Sequence, residues 1–302
     1  MLVHMGVYRI QDRKLDVSVM YDRAQMAMET VQDDYHIYTA WYDKSMRDKV
    51  VRNRQLSDEL EDAIADGQIR PWLQPVVDRE GKTIGAEVLV RWIHPKEGIR
   101  SPLSFIPVFE KNGMIADLDR CIWRQACEIL ARWKDAGKEL FLSVNISPRD
   151  FYLLDVAEEL KGMVREYGVK PSRLRLEITE TVMMTDQENR MMILRDLQAA
   201  GFLIEMDDFG SGYSSLNLLR EMPVDILKID MVFLRKSADS NRAKAIVDGV
   251  ISLAKRLGIT GLTEGVETEA QYSDLLEMGC ELYQGYYFAM PMPVEEFERR
   301  YI

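Results

Sequence analysis

Histidine and cysteine are scarce in this chain, with three of each in 302 residues. His4, His36 and His94 lie far apart in sequence, which argues against histidine-centred catalysis. Cys121, Cys127 and Cys280 are odd in number and fit no ligand spacing. That argues against a disulfide framework or a zinc site and points to a reducing cytoplasm. Positive charge is in deficit: 39 Lys and Arg face 50 Asp and Glu, for a formal net charge of −11. An acidic protein repels polyanions at long range, so a nucleic-acid polymer and a basic membrane patch are both discounted. A small phosphate-bearing ligand is still accommodated if cations sit at its site. No apolar run approaches the roughly 18 residues of a membrane span, and Met1 to Arg9 has no signal-peptide organisation. A parent protein anchored upstream is compatible with this.

What is present is globular composition, 47% hydrophobic and 29% charged, on a chain long enough for the roughly 250 residues of a β/α barrel. The start reads as a short strand (6–10), a helix (21–31), an aromatic-rich strand (35–41) and a charged helix (44–65). That set is too small to bury a good core alone. Two strand-like runs, 72–78 and 83–92, flank the polar loop Arg79-Glu80-Gly81-Lys82 and read as an antiparallel hairpin. Strand-like runs at 140–146, 174–179, 202–208, 226–229, 260–263 and 283–289 then alternate with helix-like runs at 116–136, 156–167, 187–199, 243–257 and 269–278. Gly137, Gly168, Gly201, Gly258 and Gly279 each follow one of those helices, as helix stop signals do. Alternating β and α implies a parallel sheet. With the hairpin counted, eight strands suit a closed α/β barrel of the TIM-like (β/α)8 kind, preceded by a short α+β segment. An open doubly wound sheet is the structural alternative, but its glycine-rich phosphate turn after an early strand is missing.

Reactive side chains of such barrels sit at the C-terminal strand ends. There this sequence places Glu87, Asn145, Glu177, the pair Asp207-Asp208, Lys228, Glu264 and Gln284. Any one of these reads as a solvated or capping residue. Together they do not, because one uncompensated buried carboxylate costs several kcal/mol and a domain is stable by only about 5–15 kcal/mol. Lys228 supplies one counter-charge and divalent cations suit the rest. Oxygen ligands without His or Cys favour Mg²⁺ or Mn²⁺. Adjacent aspartates at a strand end suit a pair of metals, and two metals can clamp the attacking and leaving oxygens of a phosphodiester displacement. Metal-dependent aldol, enolase-like or sugar chemistry fits the same acidic mouth. In the loop that follows, Asp208-Phe209-Gly210-Ser211-Gly212, two glycines one residue apart permit a tight turn.

Glu87-Val88-Leu89-Val90-Arg91-Trp92 resembles the opening signature of the EAL-domain cyclic di-GMP phosphodiesterases, with valine for the name-giving alanine. Asn145-Ile146-Ser147, Glu177-Ile178-Thr179-Glu180, Asp207 through Gly212, Lys228-Ile229-Asp230, Glu264-Gly265-Val266-Glu267 and Gln284-Gly285-Tyr286 follow in the family's order, and Gln74-Pro75 matches upstream. The resemblance covers residues 56–302. It implies a barrel with an antiparallel first strand and hydrolysis of cyclic di-GMP to linear pGpG. It makes Glu87, Asn145, Glu177 and Asp207 ligands of one divalent cation, and Asp207, Asp208 and Glu264 ligands of a second. Lys228 would position the attacking water, Gln74 and Arg91 would contact substrate, and Gln284 would order the site. Glu180 and Glu267 would hold the loop after Asp208, which the family ties to a homodimer. A catalytically inactive cyclic di-GMP receptor is the alternative, disfavoured because the ligand set is intact. Gly6 to Ile10, Tyr21 to Ala24 and Tyr42-Asp43 resemble the C-terminal end of a GGDEF domain, so residues 1–55 are expected to be such a remnant, without the GGDEF signature and without cyclase activity.

Overall fold

The computed structural model describes residues 3–32, 36–184, 186–207, 209, 219, 221–230 and 240–302. The chain divides into two compact units, Met1–Glu61 and Asp62–Ile302. In the first, β1 (Met5–Val7) pairs in parallel with β2 (Thr39–Trp41) across the crossing helix α1 (Val17–Glu29). Asp16 caps α1 by accepting the Ser18 amide. Gly6 lets the helix cross β1 closely, since a β-carbon there would strike the backbone of Ala24 and Met28. Ala27, Val31 and Ala40 form a small apolar cluster. Helix α2 (Lys44–Ala65) crosses the division between the units, and the expected boundary at 55/56 falls within it.

The second unit is a closed eight-stranded barrel. Its members in ring order are β3 (Ile69–Val77), β4 (Thr83–His94), β6 (Phe141–Asn145), β7 (Leu174–Thr179), β8 (Ile204–Asp207), β9 (Ile226–Asp230), β10 (Thr260–Glu264) and β11 (Leu282–Gln284). The hairpin is as expected: β3 runs antiparallel to both of its neighbours, β4 and β11, and every other neighbouring pair is parallel. Two short strands, β5 (Gly98–Arg100) and β12 (Met292–Pro293), attach outside the ring, to β4 and β3. The helices are α3 (Pro102–Asn112), α4 (Ile115–Asp135), α5 (Asp150–Leu153), α6 (Val156–Glu166), α7 (Gln187–Ala199), α8 (Ser240–Leu257), α9 (Glu269–Glu277) and α10 (Val294–Tyr301). The five helix-ending glycines all have φ between 62° and 97°, the left-handed conformation a stop requires. The last barrel strand is shorter than the run 283–289 expected from sequence. At Gly285 the chain leaves the sheet, and its carbonyl accepts the amides of Phe288 and Ala289 in a turn. Among the described residues, no helix is long and apolar enough to cross a membrane.

Side chains two residues apart on a strand share a face, and this stacks the barrel interior in layers. Val76, Phe141, Ile226, Leu262 and Leu282 form one buried apolar layer. Gln74, Ser143, Lys228, Glu264 and Gln284 stand two residues along on the same strands, toward the C-terminal ends of the parallel ones. An apolar plug therefore lies directly beneath a polar layer. Gly85 makes room for the plug, because a β-carbon there would collide with the Phe141 ring. Beside it the Arg175 guanidinium lies 3.3 Å from that ring centroid and donates to Glu205 at 3.0 Å.

Candidate active site

Register sets the polar layer side by side. Gln74 faces Glu87, Asn145 faces Glu177, Thr179 faces Asp207 and Glu264 faces Asp230 across adjacent strands. Lys228 points into the centre, 2% exposed. Its ammonium pairs with Glu177, with Glu264 Oε1 at 2.5 Å, with Asp207 Oδ1 at 3.5 Å and with Glu87 Oε2 at 3.7 Å. Gln284 donates to Glu87 at 2.5 Å and to Gln74 Oε1 at 3.2 Å, and Gln74 donates in turn to the carbonyl of Ala289 at 3.3 Å. One cation stands among four acids, an imbalance of charged groups that burial must resolve.

The electrostatics follow from that imbalance. Burial pushes the Glu177 carboxyl well above the ordinary range; Lys228 opposes the shift and the other acids reinforce it. Burial likewise raises Glu264 to about 8, against the pull of Lys228. Burial alone would lower Lys228, but Glu177, Glu264, Glu87 and Asp207 together hold it well above the usual lysine range. Oxygens of Glu87, Glu177 and Glu264 all lie within 4.8 Å of one another. Glu177 Oε2 is buried without a donor, which costs free energy unless something electropositive meets it. This all-oxygen donor set with an orphaned buried oxygen fits a hard divalent cation.

The residues read from sequence fall as follows. Gln74, Glu87, Glu177, Asp207, Lys228, Glu264 and Gln284 come together. Asn145 ends β6 with its side chain exposed, and its carbonyl accepts the Trp123 indole N–H at 2.9 Å, which ties α4 to the rim. Arg91 lies further along β4, over the Trp72 ring at 5.4 Å, and donates to the Val90 carbonyl. Glu180 is buried where the 3-10 turn after β7 begins, and Glu267 is exposed at the mouth. Asp208 and nearly all of the loop that Glu180 and Glu267 are expected to hold lie outside the described residues. Val88, adjacent to Glu87 and so on the opposite face of β4, is buried.

One cavity adjoins the cluster, and a second shares Leu89 with that cavity. The first, about 320 Å³, is lined by Gln74, Glu87, Leu89, Asp230, Glu264 and Tyr286, among others. The second, about 230 Å³, runs from Arg91 and Asn145 to Glu110, Asp119 and Ser147. Leu89, Asp230 and Tyr286 each stand inside a motif, but nothing in their spacing marks them as lining residues. Glu110 and Asp119 carried no signal, being ordinary helix acids outside every quoted motif.

A closed barrel with an antiparallel first strand and an acidic, lysine-centred mouth defines the architecture. The EAL-domain family model matches residues 57–291, and the chain belongs to that family. The bifunctional diguanylate cyclase/cyclic di-GMP phosphodiesterase MucR of Pseudomonas aeruginosa is 34% identical over 275 residues, covering 90% of this chain and 40% of MucR. The cyclic di-GMP phosphodiesterase NbdA of the same species is 35% identical over 266 residues, covering 86% of this chain and 34% of NbdA. This chain thus spans well under half the length of these curated relatives. The solved PaMucR phosphodiesterase in complex with c-di-GMP superposes with a TM-score of 0.76 at 36% identity, over 80% of this chain and 99% of that one.

Proposed function

We propose that this chain hydrolyses cyclic di-GMP to linear pGpG with two divalent cations, Mg²⁺ or Mn²⁺. The observation that carries the reading is the ring of Glu87, Glu177, Asp207 and Glu264 around one buried lysine, beside a cavity of about 320 Å³. Glu87, Asn145, Glu177 and Asp207 would hold one cation, and Asp207, Asp208 and Glu264 the other. When bound, the cations would supply the positive charge that polarises a phosphodiester and acidifies water.

The chain's own groups bind and orient. Arg91 offers a planar fork of donors suited to two phosphate oxygens at once. Gln74 stands next to Glu87 in register and would reach the substrate from the antiparallel strand. Gln284, hydrogen-bonded to both, fixes the Glu87 carboxylate in one orientation. Lys228 cannot wander, since acids surround it on several strands, and its N–H groups would hold the attacking water on the side of the phosphate away from the leaving oxygen. Glu180 and Glu267 would steady the loop after Asp208, and a homodimer belongs to the same reading on the family resemblance. Residues 1–55 are read as the C-terminal remnant of a GGDEF-like domain, supported by its motifs and by a parallel β–α–β unit too small to stand alone. A cytoplasmic location accords with three free cysteines.

The test is turnover of cyclic di-GMP followed by chromatography, with Mg²⁺, with Mn²⁺ and with excess chelator. The expected result is pGpG that appears only with metal. Tight binding without turnover under all three conditions would instead establish a receptor.

A further inference from the structure

The second cavity has a wall that the hydrolytic reading does not use. Glu110 on α3 and Asp119 on α4 line it, and Asp150, at the head of α5, lies beside Asp119 behind the lining. Asp150 is fully buried. Its Oδ2 accepts the Ser147 amide at 2.8 Å, and its own amide donates to the Ser147 carbonyl at 3.0 Å. These two bonds close the turn from Ser147 to Asp150, two residues beyond Asn145. The Ser147 hydroxyl reaches Glu110 Oε1 at 3.4 Å.

The remaining oxygen, Asp150 Oδ1, has no donor from any other group, yet the Asp150 carboxyl lies within hydrogen-bonding reach of the Asp119 carboxyl. Two carboxylates only accept hydrogen bonds. Their contact is attractive only if a proton sits between them, as an O–H···O⁻ bond. The surrounding charges do not remove that need. Arg120 on α4 faces the pair but is engaged by Asp117 at 3.5 Å and Glu159 at 3.2 Å. Glu110 adds negative charge. Arg190 on α7 lies over the neighbouring Phe151 and Tyr152 rings and donates to the Val182 carbonyl. Arg91 lines the far side of the cavity.

We infer that Asp119 and Asp150 share one proton, and that Asp150 is thereby a positioning residue for the cavity wall and for the turn from Ser147 to Asp150. The pKa directions agree. Burial and then the charge of Asp150 hold Asp119 well above the carboxylate range, while burial raises Asp150 to about 6 against hydrogen bonds from Asp119 and Ser147. When the proton leaves, a second negative charge is stranded in the wall. Repulsion then drives the two side chains apart and makes the cavity hostile to an anionic ligand. This consequence for binding rests on the reading that a cyclic dinucleotide occupies the cavity; the shared proton does not.

The experiment is Asp150→Asn in the full chain. The amide still accepts from Ser147 through Oδ1, and its Nδ2–H replaces the shared proton toward Asp119 permanently. Infrared difference spectra at pH 7 should show the carbonyl band of a protonated carboxyl in the wild type and its loss in the variant. The melting temperature of the wild type should fall as pH rises through about 6 and beyond, because the folded state holds a proton that the unfolded chain has released; Asp150→Asn should flatten that slope. With cyclic di-GMP as probe, log KM of the wild type should climb with a slope approaching about one per pH unit, while the variant stays flat and keeps kcat. Should Asp150→Asn fail to fold, Asp119→Asn replaces the same proton from the other side and is read by infrared alone. No difference band, or KM profiles that coincide, would overturn the inference. A wild type that neither binds nor cleaves cyclic di-GMP would overturn the functional reading instead, with the spectra and melting curves still deciding the proton.

Discussion

Lys228 and Glu264, on neighbouring strands of the barrel, are joined by a 2.5 Å ion pair, yet the Glu264 carboxyl is pushed up to about 8. A salt-bridged acid ordinarily moves the other way. The pair behaves differently because burial and the charges of Glu87 and Asp207 outweigh a single ammonium that four carboxylates divide among them. Without metal, the mouth is a site of stored repulsion.

Metal-free protein should therefore lose stability with rising pH. Glu264 keeps its proton in the fold at pH values where the unfolded chain has released it, so its contribution is present in acid and lost from the ordinary carboxylate range up to about 8. Calorimetry in chelator should show a melting temperature falling between those limits, and Glu264→Gln should flatten the fall. Added Mg²⁺ or Mn²⁺ should oppose it. A melting temperature that rises with pH in chelator would refute this account of the cluster.

Gly285 makes a second relationship testable. A β-carbon there would land on the Val266 backbone, where the Val266 amide donates to the Gln284 carbonyl at 3.1 Å and the Tyr287 amide to the Val266 carbonyl at 3.0 Å. The loops carrying Gln284 and Glu264 interlock at this point. Gly285→Ala should cost about 1–3 kcal/mol by overpacking, measured by urea unfolding. Turnover per folded molecule should drop more than the stability loss explains, because Gln284 no longer meets Glu87. A variant with full turnover would show that the interlock does not position the site.

The site was more legible in the sequence than its surroundings were. Strand-end acids repeat because the topology brings every parallel strand to one mouth, and that regularity survives in the one-dimensional order from Glu87 to Gln284. The five helix stops were legible because glycine adopts their left-handed backbone angles without a β-carbon clash. The last strand was overread because Tyr283 to Ala289 keeps an aromatic, strand-like composition after Gly285 has turned the chain. The Asp119–Asp150 contact was not legible. Its partners are 31 residues apart on α4 and α5, and no spacing rule reports which helix faces converge.

Arg91 separates binding from chemistry. It lies beyond Glu87 on β4 and is half-withdrawn from water beside the Trp72 ring. Arg91→Lys keeps the charge and loses the fork; Arg91→Ala loses both. Each lost charge-assisted hydrogen bond costs about 1.5–3 kcal/mol, so KM should rise roughly tenfold to a hundredfold with kcat retained, and lysine should rescue only part of it. A fall in kcat at unchanged KM would move Arg91 from substrate binding into the chemical step.

Arg175 and Glu205 supply the contrasting case, an ion pair of the same barrel interior but beneath the reactive layer. Glu205 is 1% exposed and its Oε2 has no donor, while the Arg175 guanidinium covers the Phe141 ring. Arg175→Met strands a buried carboxylate, and breaking such a pair costs about 3–5 kcal/mol. Arg175→Met with Glu205→Leu removes both charges and should recover most of that loss, because the well-packed apolar replacement of a buried ion pair is close to neutral. Denaturant unfolding of the two single variants and the double variant measures the coupling. Metal-dependent turnover per folded molecule should be unchanged in the double variant, since the apolar layer of Val76, Phe141, Ile226, Leu262 and Leu282 still underlies the carboxylates. If turnover falls with the pair while stability recovers, then the lower layer tunes the field at Lys228 and belongs to the active site.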